Sequence, residues 1–292
     1  MARTEHIAIQ DLQSRYAAER LLARIEVSPY RNELILKGGY LIGAIIGIGQ
    51  RSTRDLDYSA NLVTSQDELT QILTTISAIP LADDVSFQNL RVVENLKSST
   101  HYNPGYKLHL NLKMANPDPS RPTKPITFKL KIDLTLNDLI IPEVQRFQHI
   151  SEIDGSVIQA YAYPVEQILA EKISACLAHG DQNTRTRDYY DIYALSQFEG
   201  NHLDYHDLYQ SIVGQFNQHQ QQAALTNPIV AFQDLGQSTQ LITRWNHDKQ
   251  QFLQTNSDVS FDATISAAIR LLQLAGFSEQ APLPPYHPWL TD

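Results

Sequence analysis

The chain has 292 residues, with 23 Lys and Arg against 32 Asp and Glu for a formal net charge of −9, and one cysteine. That single cysteine excludes a disulfide framework and every multi-cysteine zinc or iron–sulfur site, while 42% hydrophobic and 19% charged residues exclude a disordered or fibrous chain. Met1 to His6 lack the apolar core of a signal peptide, and the longest apolar run, Tyr40 to Ile48, is about half a membrane span, so the expectation is a cytoplasmic protein with no membrane partner.

The first predicted element is an amphipathic helix from about Asp11 to Glu26. Leu12, Tyr16, Leu21, Leu22 and Ile25 recur near helical spacing with Arg15, Glu19, Arg20 and Arg24 between them, and Pro29 follows the end. Glu33 to Lys37 is a short apolar run stopped by Gly38-Gly39, after which Tyr40 to Ile48 continues without a breaker; strand, glycine turn and short buried helix is the natural parse. Gly43, Gly47 and Gly49 in that segment point to tight packing against a sheet. Arg51 to Tyr58 sets dense charge beside Leu56 and Tyr58 as a strand does, and Ser65 to Ala78 reads as a helix with Ser65 as N-cap. From Ser86 to Leu136 the period becomes two, in Leu90-Val92, Tyr106 to Leu112 and Ile126 to Leu134. Three antiparallel strands follow, the last two joined by the proline-rich loop Asn116 to Pro125.

Beyond about Phe147 the texture turns helical, with Val165, Ile168, Leu169, Ile173 and Leu177 at helical spacing and Arg187 to Phe198 continuing similarly. A Gln-rich stretch, Gln215 to Gln222, reads as exposed helix or loop, and amphipathic pieces around Leu241 to Leu253 and Ile265 to Leu274 follow. The expected architecture is α+β, a mixed or antiparallel sheet domain over residues 1–147 followed by a helical domain over 148–292. Charge divides along the same line. Residues 1–146 hold 17 basic and 16 acidic residues, a balance of +1, and residues 147–292 hold 6 and 16, a balance of −10.

Asp55-Leu56-Asp57 is the first candidate for chemistry. On a strand, residues i and i+2 face the same side, so two carboxylates repel unless a cation lies between them, and Mg²⁺ favours hard oxygen ligands shared with substrate phosphates. Alone the pattern fits a solvated strand end equally well. It is joined by Asp133, on the opposite parity to Ile132 and Leu134 of a later strand, and by Lys37-Gly38-Gly39 ahead of a helix whose N-terminal amides suit a triphosphate. A glycine turn before a helix, Asp-x-Asp on the next strand and a third Asp later form the active-site pattern of polymerase-beta-like nucleotidyltransferases. Cys176 reads as a small buried hydrophobe, and His202 and His206 as exposed or capping residues rather than metal ligands.

These segments resemble the nucleotidyltransferase toxins of the AbiEii type, partners in bacterial toxin–antitoxin and phage abortive-infection systems. The resemblance rests on Leu36-Lys-Gly-Gly-Tyr-Leu41, Arg51-Ser-Thr-Arg-Asp-Leu-Asp-Tyr58 and Phe128-Lys-Leu-Lys-Ile-Asp133. It continues through Val165-Glu-Gln-Ile-Leu-Ala-Glu-Lys-Ile-Ser-Ala175 and Arg185-Thr-Arg-Asp-Tyr-Tyr-Asp-Ile-Tyr193, so it covers roughly residues 30 to 200. It implies an NTP-dependent, pyrophosphate-releasing transferase with Asp55, Asp57 and Asp133 holding Mg²⁺ or Mn²⁺. Lys172 and Asp188 would be a further required pair, with Asp188 ahead of Asp191. Lys37, Gly38, Gly39, Arg185 and Arg187 would receive phosphates. Where the wider superfamily has Gly-Ser this chain has Gly38-Gly39, so Ser52 or Thr53 would supply the hydroxyl. The implied acceptor is the tRNA 3′ end and the implied partner a separately encoded antitoxin. A small-molecule or protein acceptor, or a nucleotide-binding module without catalysis, are the alternatives.

Overall fold

A computed structural model of the chain describes residues 9–47, 50–51, 53, 55–62, 65–95, 105–114, 125–151, 153–218, 227–252 and 258–279. The chain divides into two units, the first comprising Met1–Asp138 and Gln145–Ala162, the second Leu139–Val144 and Tyr163–Asp292.

Among the described residues, the first unit is built on a mixed seven-stranded sheet in the order β3-β4-β5-β2-β1-β7-β6. Its strands are β1 (Leu34–Lys37), β2 (Asp55–Ala60), β3 (Val85–Glu94), β4 (Gly105–Met114), β5 (Ile126–Leu136), β6 (Gln145–Ile150) and β7 (Val157–Ala162). β2 is antiparallel to β1 and parallel to β5, so β5 returns to run alongside the Asp-x-Asp strand. The period-two pattern of β4 and β5 sends Leu108, Leu110, Leu112, Leu130, Ile132 and Leu134 into the core and turns Lys107, His109, Lys129 and Lys131 outward. α3 (Gln66–Ser77) begins with a complete capping box, Ser65 accepting from the Glu68 amide and Glu68 accepting from the Ser65 amide.

Three features depart from the sequence expectations. The sheet continues past Phe147 through β6 and β7, and the helical texture begins only at Val165. The strand expected over Arg51 to Tyr58 starts at Asp55, with Thr53 ahead of it. α1 (Ile9–Glu26) buries the charges that an amphipathic helix would turn to water, with Arg15, Glu19, Arg20 and Arg24 all shielded. Partners distant in sequence make this tolerable. Arg24 forks onto Asp83 at 2.7 and 3.0 Å, Arg20 reaches Asp154 at 3.1 Å, and Glu19 accepts from Ser151 Oγ at 2.6 Å.

The second unit is helical: α4 (Val165–His179), α5 (Thr186–Glu199), α6 (Tyr205–Gln218), α7 (Pro228–Gln237), α8 (Thr239–Phe252) and α9 (Phe261–Leu274). α4 packs on α5 and α6, and α5 on α8 and α9. At the last junction Trp245 is fully buried, donates to the Val259 carbonyl at 3.3 Å and meets Phe261, which in turn stands edge-on to Tyr189 with centroids 5.1 Å apart. The Gln-rich stretch is partly the end of α6, where Gln215 is buried, and its remainder beyond Gln218 lies outside the described residues. Among the described residues no helix is long and apolar enough to cross a membrane.

Candidate active site

Asp55 and Asp57 open β2, and the parallel register sets Asp57 directly beside Asp133 of β5 and Asp55 beside Lys131. Two strands thus carry all three expected carboxylates on one polar face of the sheet. The Lys107 ammonium of β4 lies 3.8 Å from Asp133 Oδ1, too far for a hydrogen bond. That oxygen is shielded from solvent and has no hydrogen-bond partner, although the Asp133 side chain as a whole is 42% exposed. Burial raises the Asp133 carboxyl above the ordinary carboxylate range; Asp57 and Asp55 push it the same way, while Lys107 and His109 pull it down.

The glycine turn lies against the second carboxylate. The Gly39 amide donates to Asp57 Oδ2 at 3.1 Å, so Asp57 accepts at the N-terminus of α2 (Gly38–Ile46). Gly38 has φ +66°, and a Cβ there would fall 2.1 Å from Asp57 Oδ2. A Cβ on Gly39 would come within 2.8 Å of the Arg51 guanidinium and 3.0 Å of Thr53 Oγ1. Arg51 is itself buried, and its carbonyl lies against Gly43, so that glycine packs on a loop backbone rather than on the sheet. Thr53 Oγ1 donates weakly to the Asp55 carbonyl at 3.3 Å. Ser52, the other candidate hydroxyl, lies outside the described residues.

Lys37 stands at the N-cap of α2, but its side chain crosses the sheet. Its ammonium donates to Thr135 Oγ1 at 2.8 Å and to Asp138 Oδ2 at 2.5 Å, and Thr135 also donates to Asp138. The lysine expected at phosphates is therefore held by a carboxylate about a hundred positions away in sequence.

In the second unit, Lys172 of α4 donates to Asp188 Oδ1 at 2.5 Å and lies 3.3 Å from Asp191 Oδ2. Asp188 and Asp191 are one helical turn apart on α5, which puts both on the face that meets α4. Asp191 is fully buried and joins the cluster at the longer of the two distances, as its i+3 spacing from Asp188 allows. Asp188 Oδ2 is shielded and has no hydrogen-bond partner. Arg185 is exposed at the N-cap of α5, where its amide donates to Asn183 Oδ1 at 2.7 Å, and Arg187 is half-buried in the first turn. Burial pushes the Cys176 thiol well up, with Asp188 adding to it, which fits an inert core cysteine. His202 is exposed and pairs with Glu199 at 3.2 Å.

Among the described residues, no three His, Cys, Asp or Glu side chains already stand in a ligating arrangement. The donors on β2 and β5 nonetheless suit a hard divalent cation, being carboxylates throughout, mutually repelling, and including an unfilled acceptor on Asp133.

A family model described as the nucleotidyl transferase AbiEii toxin of type IV toxin–antitoxin systems matches residues 20–267. No curated protein matches the chain. Among solved structures, a nucleotidyltransferase from H. pylori described as putative is similar with a TM-score of 0.51 at 17% identity, over 92% of this chain and 96% of that one. MenT4, a nucleotidyltransferase toxin from Mycobacterium tuberculosis H37Rv, is similar with a TM-score of 0.53 at 15% identity, over 93% of this chain and 88% of that one. At such identities the likeness shows the fold alone.

Proposed function

Because the chain belongs to the AbiEii family of nucleotidyl transferase toxins of type IV toxin–antitoxin systems, it is a nucleotidyltransferase, and we propose that it moves a nucleotide from an NTP to the 3′ end of tRNA. Family membership also implies an antitoxin partner, which we take to be separately encoded. The observation that carries the reading is the register that aligns Asp57 with Asp133 beside the Gly38-Gly39 turn.

The acceptor hydroxyl attacks the α-phosphorus in line, the bond from that phosphorus to the bridging oxygen breaks, and pyrophosphate leaves with the electron pair. Asp133, beside Asp57 on the neighbouring strand, accepts the hydroxyl proton or shares in holding the metal. Asp55, Asp57 and Asp133 would hold Mg²⁺ or Mn²⁺, which when bound neutralises triphosphate charge and lowers the pKa of the attacking hydroxyl. The backbone at Gly38 and Gly39, with Thr53 and Arg51 packed against it, receives the phosphates. Lys37 fixes the start of α2 through Asp138. Lys172, Arg185 and Arg187 are the basic residues with which the second unit would meet phosphates, and Asp188 orients Lys172.

Incubating the purified protein with each labelled NTP, Mg²⁺ and total tRNA tests this directly. The expected result is label in tRNA, abolished by chelation and reduced at least about 10²-fold to 10³-fold in Asp55→Ala and Asp57→Asn, the loss typical of removing one key electrostatic group. Label on a protein or small acceptor would move the acceptor assignment. Transfer that survives Asp57→Asn would overturn the site.

A further inference from the structure

The outer half of the same sheet face carries charge that the transfer reaction does not use. Across β3, β4 and β5 the register aligns Arg91 with His109 and His109 with Lys131, and Asn111 with Lys129. Lys107 and Lys113 alternate with His109 and Asn111 along β4, which puts five basic side chains and one histidine on one side of three strands. Asp133 is the one acidic residue on that face of these strands among the described residues. Arg91, Lys107, His109, Lys129 and Lys131 are exposed.

Arg91 reaches this face through an irregularity. Strict alternation from Gln88 would present Leu90 opposite His109, but the register shifts between Gln88 and Arg91, with Asn89 at φ +56°. The bulge turns an arginine outward where a leucine would have stood.

Here none of Arg91, Lys113, Lys129 or Lys131 has a carboxylate within ion-pair distance among the described residues, in a protein whose net charge is −9. The stripe also begins at the candidate carboxylates: Lys131 and Lys129 stand two and four residues from Asp133 on one strand, roughly 7 and 13 Å away, and Arg91 lies two strands over from Lys131, roughly 10 Å from it.

We propose that this face of β3-β4-β5 is the track for the phosphate backbone of the RNA acceptor, leading its end to Asp55, Asp57 and Asp133. The inference rests on an RNA acceptor, as proposed above. With no Phe, Tyr or Trp on this face among the described residues, the track offers chiefly phosphate contacts rather than a base-stacking platform, so it positions RNA without reading its sequence.

The test is binding of labelled total tRNA and of poly(U) without NTP, between 50 and 200 mM salt, by the full chain and by Arg91→Gln/Lys129→Gln/Lys131→Gln. Each phosphate contact contributes about 0.7 to the salt slope on a single strand, so five contacts weaken poly(U) binding about 100-fold over that range and two about 7-fold. The triple variant should show the shallower dependence on both probes, with an unchanged melting temperature. Arg31→Gln, an exposed arginine in the turn before β1, should behave as the parent. An unchanged slope in the triple variant overturns the track while leaving transfer to RNA, measured separately, intact. A parent that binds neither probe also overturns it, and label on a small acceptor would then keep the transferase and remove RNA.

Discussion

Asp133 in the first unit and Asp188 in the second each keep a shielded carboxylate oxygen without a hydrogen bond, yet the charge around them is arranged differently. Asp133 shares its face with Asp57 and Asp55 and has one ammonium at 3.8 Å, so negative charge remains in excess. Asp188 shares its helix face with Asp191, and Lys172 stands at 2.5 and 3.3 Å from the two. The second cluster is neutralised largely from within the fold, whereas the first awaits positive charge from outside. A carboxylate group left short of cations costs stability and suits a site that binds a metal. One supplied with its own lysine is part of what keeps α4 and α5 together.

The largest expected effect comes from breaking the second cluster. Lys172→Met removes the ammonium between two carboxylates that are 7% and 0% exposed, and a buried pair broken on one side costs about 3–5 kcal/mol. Urea unfolding should register that loss, and adding Asp188→Asn to the same chain should recover part of it, because the two changes are coupled. Loss of transfer in Lys172→Met is then partly a loss of fold. Full stability with no transfer would instead place the role of Lys172 wholly with the substrate and dissolve the contrast between the clusters.

What could be read in the sequence follows the range of the interactions. The α3 cap was legible because Ser65 and Glu68 are three residues apart, and β4 and β5 because alternation is local. The carboxylates were legible as a pattern, while the pairing of Asp57 with Asp133 needed the parallel register. Lys37 looked like a phosphate ligand because it precedes the glycine turn that opens a helix; its partner, Asp138, arrives only when β5 has folded. The buried charges of α1 have the same origin, since Asp83, Ser151 and Asp154 come from distant loops. β6 and β7 escaped because Ile150 and Val157 are exposed, which blurs their alternation, and because β7 is placed by pairing with β1.

Gly38→Ala tests the first cluster at intermediate size. A side chain at φ +66° costs about 1–2 kcal/mol, and here the new methyl would also overlap the Asp57 carboxylate. Asp57 must rotate away and give up the Gly39 amide. Transfer should therefore fall by more than the stability loss explains, read as rate per folded molecule beside the urea midpoint. Equal losses would mean that the turn serves the fold alone.

The smallest effect is a pH dependence in Asp133→Asn. Burial, with repulsion from Asp57 and Asp55, raises the folded carboxyl above its unfolded value, so the folded state binds this proton more tightly than the unfolded chain does. Ionisation of Asp133 therefore opposes folding. The penalty is fully present above the raised value and vanishes as pH falls through the unfolded carboxylate range. The asparagine variant, melted in chelator, should be more stable than the parent near neutrality and lose that advantage on acidification, the opposite of what removing a salt-bridged carboxylate does. An asparagine variant less stable than the parent at neutral pH would mean that Lys107 already satisfies Asp133, and the first cluster would then resemble the second.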